Sequence, residues 1–344
     1  MKAITQDRYG SAEVLSTQDI EKPELAPDEV LVRVHAASIH VGDWILMTGV
    51  PYVMRMGTGL GKPKNRVPGT DVAGTVEAVG ANVTSLRPGD EVFGWCTGAF
   101  AEYASAPADQ FVPMPAGLTF EQASAIGVSA STALQLLRDD GKVRPGQRVL
   151  INGASGGVGT FAVQIARAFG AEVTGVCSTK NVELVRSIGA DHVIDYTRDD
   201  FRKGHERYDV ILDNVGDHSM ADTRRALSPR GILISNGGGH SSDKLGRVIR
   251  AALVSMVVSR QARPSVKSTN RSDLVALKEL VEAGKLTPVI GGTYPLDQTA
   301  RAIDEVASGH ARGTLVIGVS RPSSDDLVAG STPNDVPVAK PAVA

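Results

Sequence analysis

Apolar and polar positions change rhythm along this 344-residue chain. In the first third the period is two. EVLVRVHAASI alternates from Val30 to Ile39, VAGTVEAVG follows at Val72 to Gly80, and RPGDEVFGW, from Arg87, passes a Pro-Gly turn into another strand. Short strands punctuated by turns predict a small β-barrel-type unit over residues 1–122. From Thr119 the period lengthens: TFEQASAIGVSASTALQLL sets a capping threonine, with acid and amide residues behind it, before a helical run. Then VLING (149–153), EVTGVC (172–177), HVIDY (192–196), YDVILDNV (208–215) and GILISNG (231–237) read as short apolar strands separated by helix-like segments. Such alternation belongs to a parallel sheet with right-handed crossovers. The predicted fold class is α/β, with a Rossmann doubly wound parallel sheet over residues 123–268.

Beyond residue 270, DLVALKELVEAGKL reads as a helix ending at a glycine and PLDQTARAIDEVASGH as another. TLVIGV, Thr314 to Val319, is an apolar closing strand, expected to carry residues 269–319 back to the first unit. The remainder, 320–344, is rich in Pro, Ser, Asp and Ala without a sustained period, the composition of a loose tail. Residues 50–66, VPYVMRMGTGLGKPKNR, read as a long glycine-containing loop with apolar Tyr52, Val53, Met54 and Met56. It is either a lid or binding surface suited to an apolar substrate, or a variable surface insertion.

Composition narrows the partners. With 42% hydrophobic and 22% charged residues the chain has the makeup of an ordinary globular protein, and a formal charge of -2 gives no reason to expect nucleic acid. Cys96 and Cys177 are the only cysteines, in no metal-ligand or redox spacing, which fits a reducing compartment. MKAITQDRYG lacks a signal-peptide core, and the most apolar run, AALVSMVV at 251–258, is too short to span a bilayer. These features predict a cytoplasmic protein.

The glycine turn Ala154-Ser155-Gly156-Gly157-Val158-Gly159 follows a strand, opens a helix with apolar Phe161, Ile165 and Phe169, and is followed by a second strand. It is a G-x-G-x-x-G pattern with alanine in the first place. Gly156 would let the backbone approach a pyrophosphate, Gly159 would let the helix lie close on its strand, and the helix N-terminus would offer N–H groups to phosphate. An NAD site commonly carries an acid at the end of the second strand. Here that end reads Cys177-Ser178-Thr179-Lys180. Neutral hydroxyls and a lysine suit a 2'-phosphate, so NADPH is favoured as cofactor. Tyr196 is a further candidate near that phosphate, or a packing residue. Asn214-Val215 and Asn236-Gly237, at strand ends, are expected to line the nicotinamide side.

Together, AASIHVGDW, VPGTDVAGTVEAVG, RPGDEVFG, GASGGVG, STKNVELVRSIGADHVIDY and DVILDNVG resemble the medium-chain dehydrogenase/reductase superfamily over about residues 1–319. Within it they are most similar to the zinc-free, quinone oxidoreductase-like branch. The resemblance implies a GroES-like catalytic domain built from both chain ends, a Rossmann domain between them, a cofactor cleft at their junction and a homodimer. Zinc-dependent relatives supply a cysteine and a Gly-His-Glu where this chain has Ser38-Ile39-His40 and Gly69-Thr70-Asp71. One histidine among scattered carboxylates is a poor zinc set, so no metal is expected. Thr314 stands where relatives often have lysine.

The matching segment makes His40 and Asp43 the catalytic candidates, and Trp44, Tyr52 and Met54 the substrate-binding ones. His40 either offers a proton to a substrate oxygen or is a partly buried structural histidine. Asp43 either shares in the chemistry or holds the loop. The function implied is an NADPH-dependent, metal-independent reduction of a quinone or of the β-carbon of an activated alkene. The alternative is an NADPH-binding protein of this fold that acts as a non-enzymatic regulatory partner.

Overall fold

The computed structural model describes residues 1–216, 219–236, 262–264 and 268–319. Gly237, the AALVSMVV run and the 320–344 segment lie outside the described residues. One sheet holds six strands in the order His192–Asp195, Glu172–Cys177, Arg148–Asn152, Tyr208–Asp213, Leu227–Ser235 and Ala262–Pro264, every adjacent pair parallel. The α/β class read from the sequence is the observed one. Its central strands are covered on both faces: Val149, Leu150 and Ile151 and their neighbours Val210, Ile211 and Leu212 are all fully buried. That is why they read as unbroken apolar runs. Strand order reverses between Arg148–Asn152 and Tyr208–Asp213, the switch point whose carboxyl-end crevice takes ligands in doubly wound sheets.

The second sheet has seven strands. Its order is Ile290–Pro295, Thr314–Gly318, Glu29–Ile39, Asp71–Val79, Glu91–Trp95 and Phe111–Pro113, with Tyr103–Pro107 also paired to Glu29–Ile39. Thr314–Gly318 runs antiparallel to Glu29–Ile39, with Leu315 opposite Ile39, so the end of the described chain completes the sheet begun near its start. One apolar cluster joins the two units, packing Phe93 and Val112 with Ile126, Leu137 and Phe161.

The helical run at the junction begins with the capping box that its residues predict. Gln122 N–H donates to Thr119 Oγ1, and Thr119 N–H donates to Gln122 Oε1. It then breaks into Phe120–Ser124 and Gly127–Gln135. Glycine at 127 has a local cause: a Cβ there would stand 2.2 Å from Asp71 Oδ1. The 50–66 stretch is not a plain loop, since it folds into two short helical turns, Tyr52–Met54 and Arg55–Thr58.

Candidate functional site

The glycine turn lies at the switch point. Helix Gly157–Ala168 begins at Gly156 without a side-chain cap, which leaves its first N–H groups facing the crevice. The glycines do different work. A Cβ on Gly159 would fall 2.0 Å from the Gly153 carbonyl, so close helix-strand packing demands glycine there; on Gly156 it would meet only that carbonyl, at 3.6 Å. The outer side of Gly156 is therefore open, a space a ligand can take. Ala154 is fully buried beneath the turn and donates its N–H to Val176 O at 3.0 Å, so it shapes the turn from inside. Ser155 O accepts the Gly313 N–H at 2.8 Å, and Gly156 forms a bridge with Gly313, which ties the last strand of the catalytic domain to the turn.

Thr314 is the clearest sign that something is to be bound here. A Cβ on Gly157 would lie 3.4 Å from Ser129 Oγ and 3.7 Å from Thr314 Oγ1, so both hydroxyls border the uncapped helix end. Thr314 Oγ1 is buried without a hydrogen-bond partner among the described residues. Leaving such an atom unpaired is costly, and a bound group at the turn would relieve it. An uncapped helix, an open glycine and an orphaned hydroxyl together fit a dinucleotide phosphate.

After strand Glu172–Cys177 the candidate side chains differ in how far they are already engaged. Lys180 sits on the short turn Thr179–Asn181, exposed and without an ion-pair partner among the described residues. Ser178 Oγ and Ser155 Oγ both accept from Asn181 Nδ2, at 3.4 and 2.9 Å, which fastens the two candidate segments together. Thr179 is different. Its hydroxyl donates to Asp195 Oδ2 at 2.6 Å and meets Thr197 Oγ1 at 3.0 Å, so it is already engaged. That bond, the largest influence, holds the Asp195 carboxyl below its usual range. Tyr196, largely exposed, follows directly.

The ends of strands Arg148–Asn152, Tyr208–Asp213 and Leu227–Ser235 are organised by a residue the sequence reading passed over. Asp213 Oδ1 accepts from Asn152 Nδ2 at 2.8 Å, from Val215 N at 3.1 Å and from Gly216 N at 2.9 Å. Asn214 Nδ2 reaches Asn152 O at 3.2 Å, and its Oδ1 accepts from Asn236 Nδ2 at 2.8 Å. The strand ends carrying Asn214, Val215 and Asn236 thus form one hydrogen-bonded rim.

The His40 wall forms a second cluster. His40 Nε2 lies 2.7 Å from Thr70 Oγ1, and its ring folds over Gly42, where a Cβ would stand 2.7 Å from Nδ1. Asp43 is only 1% exposed; its Oδ2 accepts the His40 backbone N–H at 2.9 Å, and Thr70 Oγ1 stands 3.5 Å from its Oδ1. Burial raises the Asp43 pKa above the usual carboxylate value. Asp43 has almost no surface to offer a substrate, and its bond to the His40 backbone favours the second of its two readings, that it holds the loop. Trp44 packs partly buried against the apolar core, whereas Tyr52 and Met54 point outwards and are exposed.

Asp71 connects wall and turn. It is fully buried, accepts the Val128 N–H on both oxygens at 3.0 Å and accepts from Ser38 Oγ at 3.1 Å. Burial pushes its carboxyl up to about 6. Through Val128, Asp71 grips the first turn of the helix whose Ser129 borders Gly157. The neighbouring Cys96 thiol is pushed up to about 12 by burial first and by Asp71 second, so it is inert as a nucleophile at neutral pH.

Comparison with known proteins identifies the family. Residues 26–116 match the alcohol dehydrogenase GroES-like domain, and residues 188–317 match the zinc-binding dehydrogenase model. The mouse mitochondrial NAD(P)H oxidoreductase RTN4IP1 is 34% identical over 93% of this chain and 89% of its own length. The chain belongs to the zinc-free, quinone oxidoreductase-like branch of the medium-chain dehydrogenases/reductases. Another member, the chloroplastic NADPH-dependent alkenal/one oxidoreductase of Arabidopsis thaliana, is 31% identical over 92% of this chain and 79% of its own length. The quinone oxidoreductase of Coxiella burnetii superimposes with a TM-score of 0.81 at 30% identity, covering 93% of this chain and 99% of its own.

One of the matching family models carries zinc in its name. The donors here do not fit that metal: His40 Nε2 is bonded to Thr70, Asp43 and Asp71 are spent on backbone N–H groups, and Thr70 offers only a neutral hydroxyl. No group of three or more His, Cys, Asp or Glu among the described residues could hold a metal ion. Nor is any helix among them long and apolar enough to cross a membrane.

Proposed function

We propose that this protein is an NADPH-dependent reductase that delivers hydride to a quinone or to the β-carbon of an activated alkene. The observations that support the reading are the uncapped glycine turn and the His40–Thr70 pair, joined to each other by the run of contacts through Asp71, Val128 and Ser129. The names of the relatives, quinone oxidoreductase and alkenal/one oxidoreductase, point the same way.

The bound cofactor supplies the hydride; the chain supplies binding and proton management. Gly156 and the first N–H groups of the Gly157–Ala168 helix are assigned the diphosphate, with Gly157, Val158 and Thr314 beside it. Ser178 and Lys180 are assigned the 2'-phosphate. The rim of Asn214, Val215 and Asn236 orients the nicotinamide. A conjugated acceptor suits a site without a Lewis acid, because its charge delocalises after attack at the β-carbon. His40, held by Thr70 and Asp43, is placed to donate a proton or hydrogen bond to the developing enolate or hydroquinone oxygen. A homodimer and a cytoplasmic location go with this reading, the first from the family resemblance and the second from composition; the RTN4IP1 relative is mitochondrial.

Isotope labelling tests the chemistry. With an enone substrate and 4-deuterated NADPH, deuterium should appear at the β-carbon and solvent hydrogen at the α-carbon. His40→Ala should slow turnover about tenfold to a hundredfold, in the lower range of general acid catalysis. Label on the carbonyl carbon, giving an allylic alcohol, would contradict conjugate reduction. Absence of any NADPH oxidation with a panel of quinones and enones, despite tight NADPH binding, would favour the regulatory alternative.

Cofactor choice has its own check. Lys180→Ala should weaken NADPH binding by about 1–3 kcal/mol, the value of a charge-assisted hydrogen bond, and leave NADH binding nearly unchanged. Equal losses for both cofactors in fluorescence titration would return Lys180 to a purely structural role.

A further inference from the structure

Exposed large apolar side chains are not scattered over this protein. Of the eight among the described residues, six fall on one stretch beside the His40 wall: Val41, Tyr52, Val53, Met54, Met56 and Leu60. Three of these, Tyr52, Met56 and Leu60, are 71%, 74% and 77% exposed, so they face solvent rather than the interior. Scattered apolar residues need no explanation, but a contiguous group does.

The group stands on a built support. Arg55 donates from Nε to Gly49 O at 3.1 Å and from Nη2 to Thr48 O at 3.2 Å, and its guanidinium lies over the rings of both Tyr9 and Tyr52, at 4.3 and 4.6 Å. Tyr9 Oη donates to Gly59 O at 2.7 Å, closing the far side. The apolar side chains are thus presented outward on a braced turn. A lid that folded over the crevice would have to break these bonds.

Charge supplies the second clue. Between Asp43 and Asp71, both buried, the chain has no acid but carries Arg55, Lys62, Lys64 and Arg66, in a protein whose formal net charge is -2. Arg55 is used in the support and Arg66 pairs with Asp7 at 2.7 Å; Lys62, within electrostatic reach of the same carboxylate, and Lys64 are both exposed and flank the apolar tip. Apolar and aromatic side chains bordered by lysines match one surface well: acyl chains under anionic headgroups.

We infer that the 41–64 stretch docks this protein on an anionic phospholipid bilayer, with Tyr52, Met56 and Leu60 entering the interface and Lys62 and Lys64 at headgroup level. The site then opens towards the membrane, where an acceptor too apolar to dissolve in water resides. The docking is independent of the assigned chemistry, because it requires neither cofactor nor turnover.

The test is cosedimentation of the full-length protein with vesicles of phosphatidylcholine alone or mixed with phosphatidylserine. Wild type should pellet with the mixed vesicles and remain largely in solution with the neutral ones. A variant carrying Lys62→Gln and Lys64→Gln should partition about thirtyfold less, roughly fivefold for each cation lost. Tyr52→Ser with Met56→Ser and Leu60→Ser should lower partition at least about tenfold. All these residues are exposed, so circular dichroism of the variants should match wild type. Wild type staying in solution with the anionic vesicles would overturn the inference. So would variants that pellet like wild type but show a raised KM for apolar acceptors, which would make the stretch part of the substrate site. Apolar variants that lose a dimer in lipid-free sedimentation velocity, with vesicle binding unchanged, would assign the patch to a second copy of the chain and overturn it as well.

Discussion

Alanine at two glycines only three residues apart should give opposite failures. At Gly159 the added methyl meets the Gly153 carbonyl at 2.0 Å, a backbone atom that cannot swing aside, so the helix must lift from its strand. Phe161 and Ile165, both fully buried, would be displaced with it. Gly159→Ala should therefore lower apo stability by about 2–3 kcal/mol, the range for overpacking a tight core, and NADPH affinity should fall as the turn distorts. At Gly156 the methyl has only an ordinary contact at 3.6 Å and the backbone is already extended, with φ of -82°. Gly156→Ala should leave the apo melting temperature within a degree or two while weakening NADPH about a hundredfold, because the methyl occupies the space assigned to the diphosphate. Thermal melts of the apo proteins and fluorescence titrations with NADPH separate the two. A Gly156→Ala protein that binds NADPH like wild type would place the diphosphate elsewhere.

The parts of this molecule that were legible in the sequence are those whose cause is local. The glycine turn announces itself because turn, helix and flanking strands are consecutive, and the capping box at Thr119 and Gln122 spans four residues. The paired central strands were readable because burial on both faces leaves an unbroken apolar run. Ala262–Pro264 was missed for the opposite reason: it pairs on one side only, at the sheet edge, and ARP has no apolar pattern. The site candidates least legible in the sequence are those whose partners arrive through topology. Thr179 looked like a free hydroxyl until parallel pairing set Asp195 opposite Cys177, within reach of it. Asp43 had two readings in the sequence, and its burial and its bond to the His40 backbone are supplied by the fold. Thr70 and Asp71 had been noted only as departures from a zinc set, yet Thr70 bonds His40 across 30 positions and Asp71 bonds Val128 across 57. A buried-acid signal was present in hindsight, since an aspartate heading the apolar strand DVAGTVEAV needs a partner to be tolerated there.

Asp71→Ala should be among the most damaging single substitutions outside the glycine turn. It leaves the Val128 N–H and the Ser38 hydroxyl without their acceptor in a fully buried place, and opens a cavity between the two domains. A loss of about 3–5 kcal/mol is expected, from about 1–3 kcal/mol for each of the two buried donors left without an acceptor together with the cavity. Asp71→Asn is the informative companion. One amide oxygen can still accept from Val128, and the amide NH2 can donate to Ser38, whose hydroxyl turns to suit, so packing is kept while the charge is removed. The sign of the pH effect follows from burial. The folded carboxyl titrates at about 6, against about 4 for an unfolded aspartate, so the folded state holds the proton more tightly. Its contribution favours folding fully below pH 4 and is lost as pH rises through about 6, a span worth roughly 3 kcal/mol. The asparagine variant should therefore be as stable as wild type at pH 7, or more so by up to about 2 kcal/mol, and should lack this decline between pH 4 and 6. Urea denaturation across that range measures both. An asparagine variant with the wild-type pH dependence would mean that Asp71 is not the group whose charge is strained by burial, and that Asp43, raised by the same cause, carries the effect instead.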